Sequence, residues 1–121
     1  MQESGEMYLE SILVLGKKQN TVRAVDISEE MQLSKASVSR ALSKLRAEAC
    51  IIVDAEGHVG FTEKGRQIAE KIYERHQVLT DLLVGLGVTP EVAAADACKI
   101  EHYISDETFE ALINFRLKNN L

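Results

Sequence analysis

The segment from residue 24 to residue 61 constrains the fold of this chain more than any other. Residues 24–31 place Val25, Ile27 and Met31 as the apolar positions of a short helix. Gln32-Leu33-Ser34 then makes a turn, and Ser34 can cap a following helix over 35–48. That third helix is sharply two-sided. Val38, Ala41, Leu42 and Leu45 share one stripe, the side that faces a core. Lys35, Ser37, Ser39, Arg40, Ser43, Lys44 and Arg46 occupy the remainder, with no acid before Glu48. Two β-rich runs follow, Ile51-Ile52-Val53 and His58-Val59-Gly60-Phe61, joined by the turn Asp54-Ala55-Glu56-Gly57. Short helix, tight turn, basic helix and hairpin together predict a winged helix-turn-helix.

The flanking segments read as helices. Residues 4–16 carry Met7, Tyr8, Ile12 and Leu15 near one face, flanked by Leu9 and Leu13, with Ser4 as a possible cap. Lys17-Lys18-Gln19-Asn20 breaks that pattern as a polar turn. Thr62 can cap a long helix over 63–84 with Ile68, Ile72, Val78, Leu79, Leu82 and Leu83 as its apolar positions, ended by Gly85 and Gly87. A further helix is expected over 90–103, with Thr89 as cap, Pro90 at its first position and Glu91 complementing the dipole. Ser105-Asp106-Glu107 opens a last helix carrying Leu112, Ile113 and Leu117. The expected fold is therefore mainly α: a winged helix-turn-helix DNA-binding domain over 1–74, then an all-helical dimerisation domain over 75–121. Dimerisation is expected from surplus. One small winged domain cannot bury Val78, Leu79, Leu82, Leu83, Leu86, Val88, Val92 and Ile104 alone, and such a patch fits a second copy across a two-fold axis.

Charge distribution supports contact with an anion. The net charge of −5 is uneven: residues 17–75 carry 11 Lys/Arg against 9 Asp/Glu, while 76–121 carry 3 against 7. Serines are short enough to let a helix approach base edges, and Lys and Arg reach guanines and phosphates. Ser34, Lys35, Ala36, Ser37, Ser39, Arg40 and Lys44 are the candidate DNA contacts. A two-fold dimer implies a pseudo-palindromic operator with half-sites about one helical turn, or a multiple of it, apart. No apolar run approaches the roughly 20 residues that span a bilayer, and no signal peptide opens the chain. Cys50 and Cys98 are the only cysteines, so no disulfide framework is expected and a reducing cytoplasm is the expected location.

A second chemistry sits in Cys98-Lys99-Ile100-Glu101-His102. Offsets of i, i+3 and i+4 stack side chains on one helical face, where a thiolate, a carboxylate and an imidazole can hold a divalent transition metal. By itself the trio is equally compatible with a small buried cysteine beside two residues that face water. Met7 and Glu10, at i and i+3 of the first helix, and His76, inside the long helix, are further candidates if they converge with the trio. Alone, Met7 fits a core stripe and His76 fits a solvent-facing position. A metal-bound water would make Glu101 and His102 a hydrolytic centre, but no second catalytic cluster accompanies them, and no enzyme is expected. A winged-helix regulator answering to an organic ligand is the remaining alternative.

Six segments carry a family resemblance: Glu6-Met7-Tyr8-Leu9-Glu10, Val25-Asp26-Ile27, Ser34-Lys35-Ala36-Ser37-Val38-Ser39, Thr62-Glu63-Lys64-Gly65, Arg75-His76 and Cys98-Lys99-Ile100-Glu101-His102, the last followed by Ser105-Asp106. In this order, from about residue 4 to 112, they resemble the diphtheria toxin repressor family of metal-dependent transcriptional regulators, which includes the manganese transport regulators. The resemblance implies a dimer that represses when loaded with Fe(II) or Mn(II), metal bridging the first helix to the dimerisation helices. Met7, Cys98, Glu101 and His102 match the primary site of the iron-responsive branch, and Glu10 and His76 match positions used in the manganese branch. The manganese branch has carboxylates where this chain has Met7 and Cys98. The remaining ligands of the iron branch's second site fall on Thr80 and Ala94, neither able to bind a metal well, and that branch's SH3-like C-terminal domain has no counterpart in these 121 residues. Thioether and thiolate favour Fe, Co, Ni, Cu or Zn over Mn, and Zn, Co, Ni or Cd could fill such a site in vitro.

Overall fold

The computed structural model describes residues 3–120. In chain order it contains α1 (Glu3–Lys18), α2 (Ala24–Met31), α3 (Lys35–Ala47), β1 (Ile51–Val53), β2 (Val59–Phe61), α4 (Glu63–Gly85), α5 (Pro90–Ile100) and α6 (Asp106–Asn119). The mainly helical expectation holds. Internal contacts divide the chain after Glu70, inside α4, into two compact units. The boundary expected after residue 74 falls in the same helix. No described helix is long and apolar enough to cross a membrane.

In the first unit, α1 packs on α2 and α3, and α2 on α3. α1 buries Leu9, Ile12, Leu13 and Leu15. Ser4 lies inside this helix and does not cap it, and Lys17 and Lys18 close its last turn instead of opening a loop. Positive charge there meets the negative end of the helix dipole. On α2 Ile27 is wholly buried while Val25 is exposed, because an eight-residue helix presents only a narrow stripe to its neighbours. Gln32 takes a left-handed conformation (φ 55°) and ends α2 by donating its N–H to Ser28 O. Ser34 caps α3 as expected, its Oγ accepting from Ser37 N at 3.1 Å. Val38, Leu42 and Leu45 form the buried stripe of α3.

The wing is an antiparallel pair with Ile51 opposite Phe61 and Val53 opposite Val59. Val59 N also donates to Val22 O at 2.7 Å, which ties the wing to the segment before α2. At the corner leading to α4, Thr62 Oγ1 donates to Ala49 O at 2.6 Å and accepts from Gly65 N at 3.1 Å. Gly65 is required here, because a Cβ at this position would overlap the Cys50 carbonyl.

The second unit holds the remainder of α4 with α5 and α6. Its core is Val78, Leu82 and Phe109, with Ile104, Leu112 and Ile113 packed against them. This corrects the surplus argument: Val78, Leu79 and Leu82 are already buried within the chain. The large apolar side chains left in water here are Val84, Leu86, Val92, Tyr103, Phe115 and Leu117. Thr89 occupies the cap position of α5 but its side chain makes no capping bond, while Pro90 stands in the first turn as expected. α5 stops at Ile100, short of the expected residue 103. The Glu101 N–H still donates to Ala97 O at 3.0 Å, after which Tyr103 N turns back to Ile100 O. The chain must leave the helix here because Ser105 caps α6, accepting from Thr108 N at 3.1 Å.

Candidate metal centre and nucleic-acid interface

In the second unit α4 supplies His76, the last turn of α5 supplies Cys98, and Glu101 and His102 lie just past its end. The helical stacking expected for Cys98, Glu101 and His102 is therefore incomplete. Glu101 keeps helical geometry (φ −57°, ψ −24°), and His102 belongs to the turn. His76 Nδ1 lies 2.9 Å from Glu101 Oε2 and 3.7 Å from Cys98 Sγ. One ligand atom from each of His76, Cys98 and Glu101 lies within 4.8 Å of the other two. His102 Nε2 is 3.2 Å from Glu101 Oε1.

Burial sharpens this cluster. The Glu101 side chain has no exposure and that of His102 only 1%. Glu101 Oε1 has no hydrogen-bond partner, so the contact with His102 is close but not aligned as a hydrogen bond. A buried carboxylate oxygen without a donor costs free energy on the order of 1–3 kcal/mol or more, and a cation removes that cost. Carboxylate, imidazole and thiol together are a donor set for a divalent transition metal. Cys98 is exposed and Cys50 buried, and neither is in a disulfide. The residues present fit the ion. Thr80, by contrast, directs its hydroxyl to His76 O at 2.7 Å on its own helix. Met7 and Glu10 stand on α1 in the first unit, Met7 exposed and Glu10 half-buried.

On α3 the structure leaves Lys35, Ala36, Ser39, Arg40 and Lys44 exposed, together with the cap Ser34. Ser37 is half-buried, and its hydroxyl accepts from Ser34 Oγ at 3.0 Å and from Arg40 Nη2 at 3.4 Å. At the wing, His58 stands between Asp54 Oδ2 at 3.2 Å and Arg23 Nη2 at 3.3 Å. The His58 backbone N–H, more than any other cause, holds the Asp54 carboxyl below its usual value. The Arg23–His58–Asp54 contact is absent from the sequence reading. Its only trace is the i, i+4 spacing of Asp54 and His58 across a turn, a weak signal.

A winged helix-turn-helix followed by a helical unit that gathers imidazole, thiol and buried carboxylate defines a class, the metal-binding DNA-contacting regulators. Residues 1–59 match the iron dependent repressor N-terminal DNA binding domain, and residues 62–118 match the iron dependent repressor metal binding and dimerisation domain. The chain belongs to this family of metal-dependent transcriptional repressors, as its motifs imply. It is 33% identical over 112 residues to the transcriptional regulator MntR of Escherichia coli O6:H1, covering 93% of this chain and 72% of that protein. It is 30% identical over 112 residues to the iron-dependent repressor IdeR of Mycobacterium tuberculosis, covering 92% of this chain and 49% of that one. The structure of the manganese regulator SloR superposes with a TM-score of 0.80 at 28% identity, over 92% of this chain and 52% of SloR. The chain thus spans about half the length of these last two relatives.

Proposed function

We propose that this chain is a cytoplasmic, homodimeric repressor of metal-uptake genes whose operator affinity requires Fe(II) or Mn(II). The observation that carries the reading is Glu101 Oε1, fully buried without a donor beside His76, Cys98 and His102. In this reading those four residues hold the ion, and Met7 and Glu10 are the further ligands that the family resemblance implies. A bound divalent cation supplies the positive charge that the buried carboxylate lacks. His76 gives up any proton on the nitrogen that ligates, and Cys98 ligates as thiolate, so loading weakens in acid.

Ser34, Lys35, Ala36, Ser37, Ser39, Arg40 and Lys44 meet the operator, the cations on phosphates and guanines and the serines near base edges. The Ser34–Ser37–Arg40 bonds fix the first turn of α3 for that contact. Metal acts as a signal only by binding the DNA-competent arrangement better than the other. A near-complete switch needs about 5.5 kcal/mol of that difference. The test is selection from a random duplex pool with chelator, Mn, Fe, Co or Zn. A pseudo-palindrome enriched only with metal supports the reading. Equal enrichment under chelator would favour a regulator that answers to an organic ligand or to none.

A further inference from the structure

We propose that Arg75, anchored by Asp106, is the positioning residue that sets the Glu101–His102 turn for metal, an inference that rests on the metal reading above. α4 presents Arg75 and His76 in succession. His76 meets Glu101 at the start of the turn. Arg75 reaches its far end, where Nη1 donates to Ile104 O at 3.0 Å and Nη2 donates to Asp106 Oδ1. The guanidinium lies 5.0 Å from the centre of the Phe109 ring, and Lys71 Nζ stands 3.2 Å from Asp106 Oδ1. Residues 101–106 are thus held to one helix at both ends.

Burial argues that this arrangement has a purpose beyond stability. The Arg75 side chain is only 7% exposed and its Nε has no hydrogen-bond partner. Withdrawing a guanidinium from water is costly, and its partner Asp106 is an exposed carboxylate that offsets the cost only in part. What an apolar side chain cannot do is fix the carbonyl of Ile104, a residue that lies in neither α5 nor α6. Metal ligands need their orientation held by neighbouring groups, and loss of such a group costs about 10–100-fold in affinity.

The test compares wild type with Arg75→Met, Arg75→Lys and Asp106→Asn in the full chain. Three quantities are read: Mn(II) and Co(II) affinity by calorimetry, amide exchange of residues 101–106 without metal, and the metal-free thermal midpoint. Arg75→Met should lose about 10–100-fold in affinity and exchange faster in this segment. Arg75→Lys, with an ammonium donor still available to Ile104 O, should recover part of both. Asp106→Asn should move both in the same direction by less. Wild-type affinity in a folded Arg75→Met protein overturns the inference, whatever its thermal midpoint. Should Arg75→Met fail to fold, the other two variants decide, since Asp106 is 75% exposed, and wild-type affinity in both overturns it. Glu101→Gln is the control. If it binds metal like wild type, the metal centre itself is misassigned and the inference falls with it.

Discussion

On α3, Lys35, Arg40 and Lys44 keep their charges in water, whereas Glu101 and His102 beyond α5 have side chains withdrawn from it. Exposed cations cost little to place and are screened by salt, with a Debye length of about 8 Å at physiological ionic strength. A buried carboxylate is barely screened and needs a specific partner. One region therefore suits a long polyanion whose grip varies with ionic strength. The other suits a single small cation whose presence or absence changes the local balance of charge. Their difference is what a metal-gated DNA-binding protein needs: general affinity on one surface and a condition for using it at another.

The sharpest break in this comparison is Glu101→Gln. Removing the buried charge should lower metal affinity by more than about 100-fold, beyond the loss expected for a supporting neighbour. The metal-free protein should remain folded, because glutamine keeps the shape of the side chain and brings no charge into the buried site. Calorimetric scanning checks both. Wild type at 100 times its dissociation constant should gain about 2.7 kcal/mol from the ion, and the variant should gain almost none.

Phe109→Ala tests the core of the second unit. Phe109 fills the core with Val78 and Leu82, so its truncation should cost about 3–5 kcal/mol in urea denaturation. Lys44→Ala tests the exposed side. It should lower the slope of log affinity against log salt by roughly 0.9 for one phosphate contact and leave metal affinity unchanged. Ser39→Ala should instead shift sequence preference at nearly constant slope.

The smallest effect belongs to the wing. Asp54 has a folded pKa below its ordinary 3.8. Its contribution is therefore complete above that value and lost as pH falls through the depressed one. Wing amide protection, taken as exchange relative to its intrinsic rate at each pH, should stay constant from pH 7 to about 4 and fall only below it. In Asp54→Asn that acid step should disappear.

Local chemistry made much of the fold legible. The 35–48 helix follows from its apolar stripe and from Ser34, and the start of the long helix follows from Thr62. Both caps form the bonds their positions suggest. The hairpin likewise follows from two apolar runs around a Gly-containing turn. The end of α5 was not legible. Periodicity carries the helix to residue 103, but Arg75 and the cap of α6 hold the chain in another path. Thr89 shows the same limit, having the right residue type and position without the bond. Among the candidate ligands, spacing drew attention to Cys98, Glu101 and His102, and resemblance added roles for His76, Glu10 and Met7. Neither revealed Arg75, although Arg75-His76 and Ser105-Asp106 were both in view. Spacing says which residues share a helical face, not which distant carbonyl a long side chain will reach.

The central claim is that metal at the Glu101 cluster licenses the α3 surface to hold DNA. Operator affinity of wild type and Glu101→Gln, measured at one salt concentration with chelator and with saturating Mn(II) or Fe(II), tests it most directly. Wild type should tighten by about 100-fold or more, within the roughly 10⁴-fold needed for a complete switch, and Glu101→Gln should stay at the chelator value. Equal wild-type affinity with and without metal, or a full metal response in Glu101→Gln, would contradict the claim.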